Sequence, residues 1–394
     1  MPRSSRRIAA VRFPGIHRVM EEMRALAASG ADVISLAQAV PDLSPPSPLI
    51  ERAAAALRRP ETHLYTPDPG LPALREGIAA MLRDEHGVPA DPDGVLVTPG
   101  ANAAYAALLP ALAEPGDEII LPSPVYLNHL MAVQLAGCVP VEVPCIEAEG
   151  YEPDLDALAA AVTPRTAAIT VVTPNNPTGA VYSRATLEGI ARLAAERDLW
   201  IIADEVYAPL AFADRPHLSI GSLEAARGRT VTIGSFSKSH AMTGWRCGWL
   251  AAPPALAREV LKVHDTFFIC APRISQEMAL EALRVGTSFL APYRRELLSR
   301  RRALASVVES LPGLHWVEPR GALFAFVRFD HPMPSSELAL RMLREARVCT
   351  VPGDAFGDLG EGHLRISFGA SDVPRLQEAG RRLFAFFTSL FPAE

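Results

Sequence analysis

Lysine and arginine together number 38 in this 394-residue chain, yet only two are lysines, Lys238 and Lys262. Any chemistry that needs a side-chain primary amine has just these two candidates. The first ends the run Thr232-Ile-Gly-Ser-Phe-Ser-Lys238, and eight residues later comes Arg246 within Gly244-Trp-Arg-Cys-Gly. An apolar strand stops there in small hydroxylated residues. Ser235, Ser237 and Arg246 together offer a phosphate two hydroxyl donors and a planar, bidentate guanidinium. A lysine beside a bound phosphate is a candidate nucleophile for Schiff-base chemistry. Lys262, flanked by Leu261 and Val263 on a helical stretch, reads as a solvated helix residue.

Three further segments carry polar groups straight after apolar runs. In Trp200-Ile-Ile-Ala-Asp204-Glu-Val-Tyr207, Asp204 closes a strand at the end where open α/β sheets bind ligands, although an aspartate there also caps helices. In Val172-Thr-Pro-Asn-Asn-Pro-Thr-Gly179, Pro174, Pro177 and Gly179 stiffen a turn that fixes the amide of Asn176. In Val97-Thr-Pro-Gly-Ala-Asn-Ala104, a strand meets a helix whose first free amides suit an anion.

The elements that must position these groups alternate along the chain. Strands are expected at Val95–Thr98, Glu118–Leu121, Pro140–Val143, Ala167–Val172, Trp200–Asp204, Thr230–Gly234 and Trp245–Ala251. Helical periodicity lies between, over Ala101–Leu112, Val125–Leu135 and Ser183–Arg197. Strand–helix alternation with nearly continuous apolar strands implies a mostly parallel sheet covered on both faces, a doubly wound α/β fold. The ends differ. A helix over Ile16–Ser29, stopped by Gly30, leads into a strand Asp32–Leu36 and the proline-rich loop Pro41–Pro48. After a helical stretch Pro254–Leu311, broken near Gly286–Thr287, come strands at Ala322–Arg328, Val348–Val351 and Leu364–Phe368 with helices at Ser335–Glu345 and Val373–Leu390. Both termini thus build a smaller α+β unit (1–47 and 291–394) around a large one (48–290).

Composition narrows the function. A hydrophobic share of 49% with 21% charged residues excludes a disordered chain, and a net charge of −6 disfavours nucleic acid as a partner. Five scattered cysteines without a C-x-x-C pair fit a reducing compartment and argue against structural zinc, so no metal is expected. The start, Met1 to Gly15, is basic, but its apolar stretch is too short for a signal peptide. The Ala101–Ala113 run holds Pro110 and falls short of the roughly 20 apolar residues of a membrane span. A soluble cytoplasmic protein is expected.

In order and residue type, these pieces resemble the class I/II aminotransferases, pyridoxal 5'-phosphate (PLP) enzymes of fold type I. The similarity runs from the Leu36–Pro41 loop to Arg365. It implies that Lys238 forms the Schiff base with PLP, that Asp204 holds the pyridine nitrogen, and that Asn176 and Tyr207 bond the ring oxygen. Ser235, Ser237, Arg246 and the amides of Gly100, Ala101 and Asn102 would cradle the phosphate. Tyr126, in Pro122-Ser-Pro-Val-Tyr, would stack on the ring, and Tyr65 would reach the phosphate of a neighbouring subunit in a homodimer with shared sites. Arg365, in His363-Leu-Arg-Ile-Ser-Phe, would grip the substrate carboxylate. The family's glycine before Pro-Asp is Ala39 here, which bears on the substrate side of the site. The implied activity moves the amino group of an L-amino acid to a 2-oxo acid, by a ping-pong cycle through pyridoxamine phosphate. PLP-dependent lyases and natural-product enzymes share these motifs. A PLP-sensing regulator would need an added DNA-binding domain, for which the residues before Ile16 are too few. Asn102, Tyr126, His129 and Phe356 are the pocket-lining candidates, favouring a neutral or aromatic substrate side chain.

Overall fold

A computed structural model describes residues 3–11 and 15–391. Eight strands form the central sheet, in the spatial order Val95–Thr98, Gly248–Ala251, Thr230–Ser235, Trp200–Asp204, Thr166–Val172, Glu118–Ser123, Val139–Ile146, Glu152–Pro153. The five from Thr230–Ser235 to Val139–Ile146 are parallel neighbours, while Gly248–Ala251 and Glu152–Pro153 run antiparallel to theirs. The parallel order needs helical crossovers, and the sequence supplies them with legible ends. Ser183 caps the helix Arg184–Glu196 by accepting from the Thr186 amide, and Asp154 caps Leu155–Ala161 in the same way. Helices Ala101–Leu112, Leu127–Ala136 and Pro254–Phe268 bury one face of the sheet with Leu96, Leu108, Ile119 and Ile233. Six of the strands are buried along almost their whole length, as two-sided coverage requires, while Val139–Ile146 and Glu152–Pro153 at one margin are only partly covered.

Thr98, Ser123, Val172, Asp204 and Ser235 all sit at the C-terminal ends of strands that point the same way. One sheet edge therefore gathers the polar groups singled out by their positions after apolar runs.

A second, four-stranded antiparallel sheet comprises Leu314–Trp316, Phe324–Phe329, His363–Ser367 and Val351–Pro352. Ile34–Ser35, from the other end of the chain, pairs in parallel with Val348–Cys349. The expected single strand Val348–Val351 is thus two short ones in different sheets, separated by Thr350, and the expected strand Asp32–Leu36 shortens to two residues. The strand expected from Trp245 begins only at Gly248, because Thr243–Trp245 forms a 3-10 turn and Arg246 takes a left-handed conformation (φ 51°). The helical stretch 254–311 breaks twice, at Gly286 as expected and also at Ile269 (φ 61°), leaving helices Pro254–Phe268, Arg273–Val285 and Leu290–Ser310. Ser335–Arg341 is α-helical and widens into a π turn over Met342–Ala346. Part of the basic opening stretch lies outside the described residues, and Arg6–Ala10 within it is a short helix. No helix among the described residues is long and apolar enough to cross a membrane.

Candidate active site

A cavity of about 320 Å³ opens over the polar sheet edge. Lys238, Asp204, Tyr207, Asn176, Tyr126, Ser235, Ser237, Arg246, Arg365, Ala39, Ala101 and Asn102 all line it. Segments more than three hundred residues apart in sequence meet at this one place.

The strand Thr230–Ser235 hands over to a single helical turn, Phe236–Ser239, which presents Lys238. Ser235 Oγ accepts from the Ser237 amide at 3.1 Å and pairs with Ser237 Oγ at 2.9 Å, so the two hydroxyls are held together. Lys238 Nζ donates to the Ala39 carbonyl at 2.6 Å. Burial, and then the charges of Arg365 and Arg246, push this amine down to about 8. About a tenth of the side chain is then free amine at pH 7, far more than for an ordinary lysine, and free amine is what a nucleophile or proton carrier requires.

Arg246 and Gly100 interlock. Arg246 Nη1 donates to the Thr243 carbonyl at 2.9 Å, and a Cβ added at Gly100 (φ 90°) would lie 2.4 Å from Arg246 Nη2. Only glycine lets the guanidinium approach the helix start so closely. Gly100 is absent from the cavity wall itself and acts by leaving that space. The helix Ala101–Leu112 begins immediately after it, and the first amides of a helix have no intrahelical acceptor.

Asp204 is nearly buried, and both its oxygens are engaged on the sheet side. Oδ1 accepts from the Val206 amide at 3.1 Å, and Oδ2 lies 3.1 Å from Nε2 of His129. His129 is clamped in turn, stacked on Tyr105 with centroids 3.9 Å apart and meeting Tyr126 edge-on at 5.0 Å. It stands behind Asp204 and does not line the cavity, the place first assigned to it. Its spacing of three from Tyr126 at the start of a helix is the signal that puts both rings on one helix face.

Arg365 comes from the strand His363–Ser367 of the second sheet. Its Nη1 donates to Asn176 Oδ1 at 2.9 Å and its Nη2 to the Ala37 carbonyl at 2.7 Å. The rings of Phe324 and Phe356 each lie 5.1 Å from the guanidinium carbon. Phe356 thus supports Arg365 and leaves the cavity wall to others. Burial lowers the guanidinium's pKa, opposed by Tyr207 and Tyr126. Arg365 Nε is buried with no hydrogen-bond partner among the described residues, an orphan donor that an incoming acidic oxygen would satisfy. Burial also raises the phenols of Tyr126 and Tyr207, so both remain neutral hydrogen-bonding groups.

Sequence reading missed Val40, Leu127, Val172, Val206 and Thr243 as wall residues, four of them apolar side chains with no chemical signature. Tyr65 is 76% exposed and outside the cavity of its own chain. Lys262 lies on the surface, paired with Glu259 at 2.5 Å.

The family profile described as aminotransferase class I and II matches residues 31–383. This chain belongs to that family. The aminotransferase is 40% identical over 361 residues to an aspartate aminotransferase of Pyrococcus abyssi, covering 91% of this chain and 92% of the relative. It is 39% identical over 355 residues to aromatic-amino-acid aminotransferase 2 of Thermococcus litoralis, covering 89% and 90%. Among solved structures, aspartate aminotransferase from Thermus thermophilus with maleate superposes with a TM-score of 0.92 at 34% identity, covering 98% of this chain and all of that one. The fold is that of a type I α/β transferase.

Proposed function

We propose that this aminotransferase uses PLP to move the amino group of an L-amino acid to a 2-oxo acid in a ping-pong cycle. The observation that carries the reading is the convergence of Lys238, its amine lowered to about 8, with Asp204, Arg246 and Arg365 around one cavity. The residues fit the cofactor. The Gly100–Arg246 approach, which a Cβ would fill, together with Ser235, Ser237 and the Ala101 and Asn102 amides, makes a phosphate cradle. Bound there, PLP supplies a pyridinium ring that takes up the electron pair released when the substrate α-carbon loses its proton.

The remaining roles belong to the chain. Asp204, steadied by His129 and the Val206 amide, holds a proton on the ring nitrogen. Lys238 Nζ accepts the α-carbon proton and returns it. Arg365 binds the substrate carboxylate through its planar fork and fixes the α-carbon's orientation. Asn176 and Tyr207, on the cavity wall, would donate to the ring oxygen, and Tyr126 would cover the ring. Ala39, Val40 and Leu127 supply the wall beside the reacting carbon. The names of the relatives span aspartate and aromatic amino acids. The apolar wall supports a neutral or aromatic side chain for this enzyme.

A homodimer with shared sites is the assembly we infer. Tyr65 and its exposed neighbours Leu57 and Leu64, with Phe267 and Ile269, support it by offering apolar surface and an aromatic side chain to a second copy. The free cysteines support a reducing, cytoplasmic setting. We also divide the chain into a large unit, 48–290, and a small one from both ends.

Borohydride reduction of the PLP-loaded chain, followed by tryptic mapping, tests the reading. The cofactor is expected on Lys238 alone, and an amino acid added before reduction should yield its 2-oxo acid without ammonia. Label on Lys262, or ammonia in step with 2-oxo acid, overturns it.

A further inference from the structure

The segment between the strand Ile34–Ser35 and the helix Ser47–Ala56 has no regular structure, yet it supplies Ala39 and Val40 to the cavity wall. It is tied down at four places. Leu36 pairs through its backbone with Cys349 and Ser367 at 2.8 and 2.7 Å. Arg365 donates to the Ala37 carbonyl, and Lys238 to the Ala39 carbonyl. Beyond the cavity, Asp42 Oδ2 lies 2.8 Å from Arg300 Nη2.

Two of these ties draw on the cations that the reaction itself needs. A lysine amine that attacks a carbonyl gives up its ammonium donors, and Ala39 then loses its partner. Asp42–Arg300 is a side-chain tie that chemistry leaves alone, and the Tyr293 phenol adds a hydrogen bond with the Asp42 backbone beside it. Its cation is pre-set on the helix Leu290–Ser310, where Arg300 Nη1 donates to the Gly369 carbonyl at 3.0 Å and Nε to Glu296 at 3.1 Å. The guanidinium carbon lies 5.9 Å from the Tyr293 ring centroid, and Tyr293 itself donates to the same Gly369 carbonyl. Arg300 is 6% exposed and its guanidinium is held by three further partners, so the cation waits in place while Asp42 approaches it from the solvent side.

We propose that Asp42 is a positioning residue for the amino-acid substrate, its ion pair with Arg300 holding the Leu36–Asp42 strap, and with it Ala39 and Val40, against the cavity while Lys238 changes partners. The proposal rests on the reading that an amino acid binds between Arg365 and Lys238, and it adds a residue outside that cavity.

Asp42 is on the surface, so its variants should fold. Asp42→Ala is expected to raise KM for the amino acid about tenfold, with kcat and PLP affinity within about twofold of wild type. Asp42→Glu should restore KM to within a few-fold. In the unloaded chain, hydrogen exchange of a peptide spanning 36–46 should be faster in Asp42→Ala and near normal in Asp42→Glu. Unchanged KM with unchanged exchange overturns the proposal. A parallel fall in PLP affinity and melting temperature also overturns it, because that marks a merely structural tie. Should the wild-type chain move no amino group, the functional reading fails, and unchanged exchange in Asp42→Ala would then sink the strap separately.

Discussion

Lys238 and Lys262 are the same side chain in two surroundings. Lys262 stands 71% exposed on a helix beside Glu259, where water and a carboxylate stabilise its charge. Lys238 sits in a cavity with two guanidinium groups, where burial and like charge work against the proton. Reactivity here is a property of place. Burial does most to make this amine a base and the two guanidinium groups add to it; on the proposed function the same arginines would also bind the anionic ends of cofactor and substrate, joining binding to activation.

Replacing each lysine breaks the comparison most directly. Lys238→Ala should slow the half-reaction with an amino acid by at least about 10³-fold, since general acid–base catalysis alone contributes about 10²–10⁴. Lys262→Ala should stay within about twofold of wild type. Stopped-flow absorbance of the PLP-loaded variants measures both, and comparable losses would erase the distinction.

Arg365→Met sharpens the comparison from the other side. Losing a charge-assisted, bidentate grip, at about 1.5–3 kcal/mol per hydrogen bond, should raise KM for the amino acid by more than about 100-fold. Removing a positive charge that depresses Lys238 should also move that amine's midpoint upward from about 8. Less free amine is then present at neutral pH, so modification of the unloaded chain by trinitrobenzenesulfonate at Lys238 should need higher pH than in wild type. A midpoint that stays put would show that Arg365 binds without activating.

His129→Phe keeps the stack on Tyr105 but removes the nitrogen facing Asp204. The change should lower PLP affinity and turnover by about tenfold each, the scale of one lost partner to a buried carboxylate. Spectrophotometric PLP titration measures the first. Unaltered affinity would mean that the Val206 amide suffices to hold Asp204.

Much of this site was legible because several chemical groups follow an apolar run, and parallel strands bring such positions to one edge. Lys238, Asp204 and Asn176 share that signal, whereas Arg246, in a turn ahead of its strand, and Arg365 carry recognisable sequences around them. The fold's caps were equally local, as at Ser183 and Gly30. What escaped is non-local. Val40 and Leu127 are ordinary apolar residues until the fold places them on the wall. His129 looked like lining because sequence gives a face and not a neighbour. The split between Val348–Cys349 and Val351–Pro352 depends on two partners, Ile34–Ser35 and His363–Ser367, that lie far away along the chain. The exception is local: Pro272, three residues past Ile269, is the signal for the second helix break that sequence reading passed over.

The two outer strands of the eight-stranded sheet carry a further consequence. A buried, apolar sheet with bare edges is a template for pairing with other molecules, and with it for aggregation. At one margin the last strand, Glu152–Pro153, is two residues long, and its proline has no amide hydrogen to offer. At the other margin the Val97 amide donates to the Pro69 carbonyl at 2.9 Å, and the Val95 carbonyl accepts from Arg75 Nε at 3.0 Å. The second rim is sealed by the chain's own groups, while the first pairs only at Cys145 and Ile146 and otherwise relies on Pro140 and Pro144, which deprive Val139–Ile146 of two amide hydrogens, so the sheet offers a stranger's strand little to pair with.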